Sequence, residues 1–101
     1  MGKDQQPAAV EPVIHELVLT TAGTEYPQVL HDGGADTPSI KKIQIKCRTS
    51  ADITYGFVSA GTVVTLPADH TYWQDGLDNR GLTVYIIGGV NGLVAEIEVW
   101  T

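Results

Sequence analysis

Ile40–Arg48 reads IKKIQIKCR, and its alternation decides the fold class. In an extended strand Ile43, Ile45 and Cys47 fall on one side, and Lys42, Gln44, Lys46 and Arg48 on the other. A helix would scatter the same residues around its axis; a strand gives one dry face and one basic face. Four of the six Lys and Arg residues lie here (Lys41, Lys42, Lys46 and Arg48), in a chain with twelve Asp and Glu and a formal charge of −6. Such a stripe is either neutralised by acidic neighbours in its own sheet or presented to a partner.

Outward from this segment, the same short period recurs in both directions. Val13–Thr21 (VIHELVLTT) predicts a first strand with Leu17 and Leu19 facing inward. Tyr26–Leu30 predicts a short second one, which Pro27 marks as an edge or a strand start. His31–Ser39 (HDGGADTPS) is a loop. After Arg48, Asp52–Val58 puts Ile53, Tyr55 and Phe57 on one face. Thr62–Leu66 and Thr71–Gln74 are two more short strands. Leu82–Ile87 (LTVYII) is apolar on both faces, as a central strand is. Gly88–Gly92 is a turn whose Asn91-Gly92 pair favours positive φ. Leu93–Thr101 alternates Leu93, Ala95, Ile97 and Val99 against Val94, Glu96, Glu98 and Trp100. If this last strand lies beside Ile40–Arg48, Lys46 and Arg48 meet Glu96 and Glu98 across the strands.

No segment carries a sustained helical repeat. About eight strands separated by Gly, Pro and Asp turns predict an all-β domain, an antiparallel β-sandwich over residues 13–101. A jelly roll uses about eight strands and an immunoglobulin-like sandwich about seven to nine, and both fit. The single Cys47 excludes the paired cysteines of antibody domains and reads as a small buried hydrophobe. Residues 1–12 (MGKDQQPAAVEP) are polar and predict an extended arm, with Gln5, Gln6 and Pro7 as its candidate contacts.

The 101 residues suffice for one core, burying roughly 60–70% of the unfolded surface. No stretch approaches the roughly 20 apolar residues of a membrane span, and none resembles a signal peptide, so the expectation is a soluble chain made in the cytosol. The acidic balance argues against nucleic acid as the main partner.

Sites for chemistry are thin. His15, His31 and His70 form no metal-binding spacing and read as solvent-facing loop or strand-rim residues. Asp32 and Asp36, and Asp75, Asp78 and Asn79, lie near glycines; two carboxylates fall short of a calcium site, and Asp, Asn and Gly also cap tight turns. Asp69-His70 with Ser50 or Ser59 lacks the nucleophile elbow of a hydrolase, and no phosphate loop occurs. The expectation is no cofactor, no metal and no enzymatic activity.

Aromatic residues carry the binding candidates. Tyr72 and Trp73 sit beside Asp69, Gln74 and Asp75, a grouping that serves core packing, an interface centre or a sugar platform. Trp100 shares a strand face with Glu96 and Glu98, so that face is at least partly wet.

The strings Thr20–Tyr26 (TTAGTEY), Lys41–Ile53 (KKIQIKCRTSADI) and Val94–Trp100 (VAEIEVW) resemble a group of small virion proteins of tailed bacteriophages. The resemblance spans residues 17–101 and departs at His31–Ser39, which is longer and more acidic than the corresponding link. It implies an all-β accessory protein of the virion, encoded among head genes; it carries over no functional residue. The resulting expectation is a non-enzymatic capsid decoration or cement protein, made in the host bacterial cytoplasm, located in the virion and binding the major capsid protein as a homo-oligomer. In that expectation the arm crosses onto a neighbouring subunit, and Tyr72, Trp73 or Trp100 anchors the contact. Rival expectations are a head–tail connector or tail adaptor, and a carbohydrate-binding module built on Tyr72-Trp73.

Overall fold

The alternating segments form eight strands: β1 (Val13–Leu19), β2 (Glu25–His31), β3 (Lys42–Cys47), β4 (Ile53–Gly56), β5 (Val64–Leu66), β6 (Thr71–Gln74), β7 (Leu82–Gly88) and β8 (Leu93–Trp100). The computed structural model describes residues 12–101. The contacts expected of Gln5, Gln6 and Pro7 lie outside the described residues. The strands build two four-stranded antiparallel sheets, one ordered β1-β8-β3-β6 and the other β2-β7-β4-β5.

The pairing is nested. β1 pairs with β8, β2 with β7, β3 with β6 and β4 with β5. This is one long antiparallel ribbon folded at the β4–β5 turn. Rolling the ribbon adds the contacts β3–β8 and β4–β7, which weld it into two sheets. That arrangement is a jelly roll, so of the two sandwich types the sequence allows the immunoglobulin-like one is set aside. β7 is central, as its two apolar faces require, and Pro27 sits on edge strand β2, where its missing N–H costs no ladder bond.

The inner faces close on one another. Leu19, Ile43, Ile45, Ile53, Val84, Ile86, Ile97 and Val99 are all 2% exposed or less. Leu17, Cys47, Phe57 and Tyr72 pack around this core at its rim. Cys47 is thus only half-buried, a correction to its reading as a buried hydrophobe, because its pairing with Ala95 places it at the end of β3.

β3 is shorter than the alternation suggests. Ile40 is fully buried but makes only a single bridge to Asn79, with N–H···O distances of 2.8 and 3.1 Å. The Lys41 carbonyl accepts from the Leu77 N–H at 3.0 Å, so the 75–81 loop replaces a neighbouring strand there.

Three positions govern the turns. At Gly92, φ is 81°, which the Asn91-Gly92 pair predicts, and the Asn91 amide oxygen accepts from the Ala22 N–H at 2.7 Å. At Gly56 a Cβ would lie 2.6 Å from the Thr62 carbonyl oxygen, a backbone atom that cannot swing away. Ala60, in the following turn, holds φ at 54° because the Glu25 carboxylate accepts from its N–H at 2.8 Å and from the Ser59 hydroxyl at 2.7 Å. Opposite outcomes are expected in urea unfolding. Gly56→Ala lowers stability by about 1–3 kcal/mol through overpacking, whereas Ala60→Gly raises it by about 0.5–1 kcal/mol through relief of left-handed strain.

Candidate functional site

The outer face of the β1-β8-β3-β6 sheet collects the residues with the most to offer a partner. Alternation sends Ile43, Ile45, Ile97 and Val99 inward, so their strand neighbours point out. The register then aligns Ile14, Glu98, Gln44 and Trp73 in one row across four strands, with Trp100 opposite Lys42 beside it. Ile14 is 64% exposed and Trp73 57%. The Lys42 ammonium lies 4.7 Å from the Trp100 ring centre and 5.7 Å from that of Trp73, so one cation bridges two indoles. Each such contact contributes about 0.5–1 kcal/mol at an exposed site, and together they fix both rings against the sheet.

Adjacent along the same face is a charge cluster. Glu96 accepts from Arg48 at 2.9 Å and lies 3.5 Å from the Lys46 ammonium, and Arg48 also pairs with Glu16. Hydrogen bonding from Arg48, then its charge and that of Lys46, holds the Glu96 carboxyl below its ordinary range. The same two acceptors raise the Arg48 guanidinium further. Glu98 faces Gln44, not the cations, a correction to the expected pairing of Lys46 and Arg48 with both acids. Lys41 leaves the stripe altogether: it bonds Ser39 at 2.9 Å and Asp78 at 3.1 Å. Hydrogen bonds from Ser39 and Lys41 hold the Asp78 carboxyl low.

The aromatic candidates separate. Trp73 and Trp100 share the outer face through Lys42. Tyr72, next to Trp73 in β6, turns inward, packs on Tyr55 with ring centres 4.8 Å apart, and lines an apolar depression of about 230 Å³ with Ile43, Phe57, Leu77 and Leu82. Burial, then the neighbouring Tyr72, pushes the Tyr55 hydroxyl up. Strand alternation therefore prevents Tyr72 and Trp73 from forming one flat sugar platform.

The polar clusters are structural. His31 is 4% exposed, not solvent-facing. Its Nδ1 accepts from the N–H groups of Gly33 at 2.8 Å and Gly81 at 3.0 Å, and its Nε2 donates to the Thr37 carbonyl at 3.3 Å. Arg80 donates to the carbonyls of Gly34 at 3.0 Å and Thr37 at 2.5 Å. These contacts pin the 31–39 loop to the start of β7. Asp32 accepts from Gly34 N–H at 2.8 Å, as turn chemistry requires. Ser50 donates directly to Asp69 at 2.9 Å while His70 faces the Ala68 carbonyl at 3.0 Å, so the three do not line up as a relay. Among the described residues no three His, Cys, Asp or Glu side chains are grouped to hold a metal, and no helix is long and apolar enough to cross a membrane.

Lys42 is a candidate contact residue that the sequence shows only as one charge of the stripe. Its signal is register: placing Lys46 opposite Glu96 sets Lys42 opposite Trp100. No family model, curated protein or solved structure matches the chain.

Glu96 sets the acid response of this face. Its folded titration is depressed, so its stabilisation is complete above the ordinary glutamate range and fades as pH falls through the lower folded value. Replacing it with Gln leaves Lys46 and Arg48 side by side and is expected to cost about 1 kcal/mol at neutral pH. Urea midpoints measured at neutral pH and at pH 3 are expected to differ less in Glu96→Gln than in the wild type; equal differences would contradict the assignment.

Proposed function

We propose that the chain is a non-enzymatic structural protein of a tailed-bacteriophage virion, a decoration or cement protein that docks on the major capsid shell. The observation that carries this reading is the Trp73–Lys42–Trp100 cluster, a preorganised aromatic anchor raised on a rigid sheet and flanked by Gln44 and Glu98. Interface hot spots are enriched in Trp and in residues held in one rotamer before binding, because little entropy is then lost on docking. The jelly roll supports the reading by analogy only, since viral shell proteins share it with lectins and cupins. Residues 1–12 add a second contact, on a neighbouring subunit. Copies distributed over the shell, not confined to a ring at the portal, are what separate this role from that of a connector.

Adding purified chain to shells that lack it tests the anchor. Trp73→Ala is expected to weaken occupancy by about 2 kcal/mol while leaving the thermal midpoint close to that of the wild type, because the ring is largely exposed. Occupancy unchanged by both Trp73→Ala and Lys42→Ala would remove the anchor from the reading. Deleting residues 1–12 is expected to lower occupancy further.

A further inference from the structure

We propose that β1 is a self-association edge, at which two copies pair β1 to β1 in antiparallel register about Glu16 and extend each β1-β8-β3-β6 sheet into one eight-stranded sheet.

The four sheet edges are not alike. β2 is guarded by Pro27 and by a bulge between Val29 and His31. β5 has three residues and β6 four, too short to template a partner. β1 has seven residues, no proline, no bulge and no lysine, and among the described residues nothing covers its outer flank. Of the devices that guard such an edge in proteins that remain single, β1 carries one, the charge of Glu16, and in the folded sheet Arg48 neutralises it.

The hydrogen-bonding parity of that flank follows from β8. The Arg48 N–H donates to the Val94 carbonyl at 2.9 Å, so the backbone groups of Val94, and by alternation Glu96 and Glu98, face β3. Those of Leu93, Ala95, Ile97 and Val99 face β1, where they meet Leu19, Leu17, His15 and Val13. The N–H and C=O groups of Ile14, Glu16 and Val18 are left pointing outward from the sheet edge.

Self-complementarity selects a second copy as the occupant. Pairing about Glu16 sets Ile14 opposite the second copy's residue 18, and Val18 opposite its residue 14, so every outward backbone group on the three residues is matched. It also covers the two apolar side chains that β1 leaves 64% and 52% exposed on the outer face. The two Glu16 carboxylates meet at the axis, each already held by its own Arg48. Shifting the register by two residues in either direction breaks both Ile14–Val18 pairs at once, since the two-fold axis relates them, and loses backbone bonds. The resulting contact is isologous and closes at two copies. It is independent of the capsid reading, whose readout is shell occupancy.

Sedimentation of the full chain over a concentration series tests the edge. A species of twice 10.8 kDa is expected for the wild type. Ile14→Lys/Val18→Lys places ammonium groups in the seam and is expected to raise the dissociation constant at least ~10-fold with the fold intact by circular dichroism. Ile14→Cys/Val18→Cys in a Cys47→Ser background is expected to oxidise to a covalent dimer, since hydrogen-bonded partners sit at about 5.5 Å between Cα atoms, within disulfide reach. A monomeric wild type overturns the proposal. So does a dimer that survives the lysines or fails to cross-link.

Discussion

The register between β3 and β8 is the constraint on which both faces of this protein depend. Ile43 and Ile45 meet Val99 and Ile97 on the inner side, while Lys46 meets Glu96 on the outer side. A slip of one residue would bring charges into the core and isoleucines into water, so burial excludes it at a cost far above that of any surface pair. A slip of two would keep the core dry and be opposed only by the outer side chains. The Arg48–Glu96–Lys46 contacts and the Lys42–Trp100 contact distinguish those even registers. Weak surface interactions thus act here on specificity, where a fraction of a kcal/mol per pair has an effect that it would not have on stability alone.

That division also explains what was legible in the sequence. Parity is written in the alternation itself, so the eight strands, their inner faces and the central place of β7 could be read directly. Offsets by two are not written there, because Glu96, Glu98 and Trp100 share one parity. Hence the expected contact of the cations with both acids became a contact with Glu96 alone, and Trp100 received Lys42. Tyr72 and Trp73 show the opposite case: adjacency in sequence suggested one platform, although the strand period already places them on opposite faces. His31 was beyond reach for a different reason. Its ring accepts from Gly81, fifty positions away, and nothing local signals that bond.

The basic stripe of Ile40–Arg48 resolves into three separate tasks. Lys46 and Arg48 neutralise Glu96 and Glu16, Lys41 ties the 75–81 loop through Asp78, and Lys42 holds two indoles. An acidic protein gathers its cations in one strand because that strand lies between β8 and β6 and can reach acids and aromatics on both flanks. The cations that hold the sheet together also shape the surface the sheet presents.

The nested ribbon has a consequence for birth of the molecule on the ribosome. The β4–β5 turn is the only place where nested partners are neighbours in the chain; every other pair must await a strand made later. β1 is synthesised first, yet its partner β8 is made last and occupies the middle of its sheet. At about 5–20 residues per second, β1 passes several seconds without its ladder partner. During that interval VIHELVL is a naked β-prone segment with both flanks open. The lone Glu16 at its centre, later drawn into the Arg48 cluster, is then the one charge that keeps neighbouring nascent chains apart.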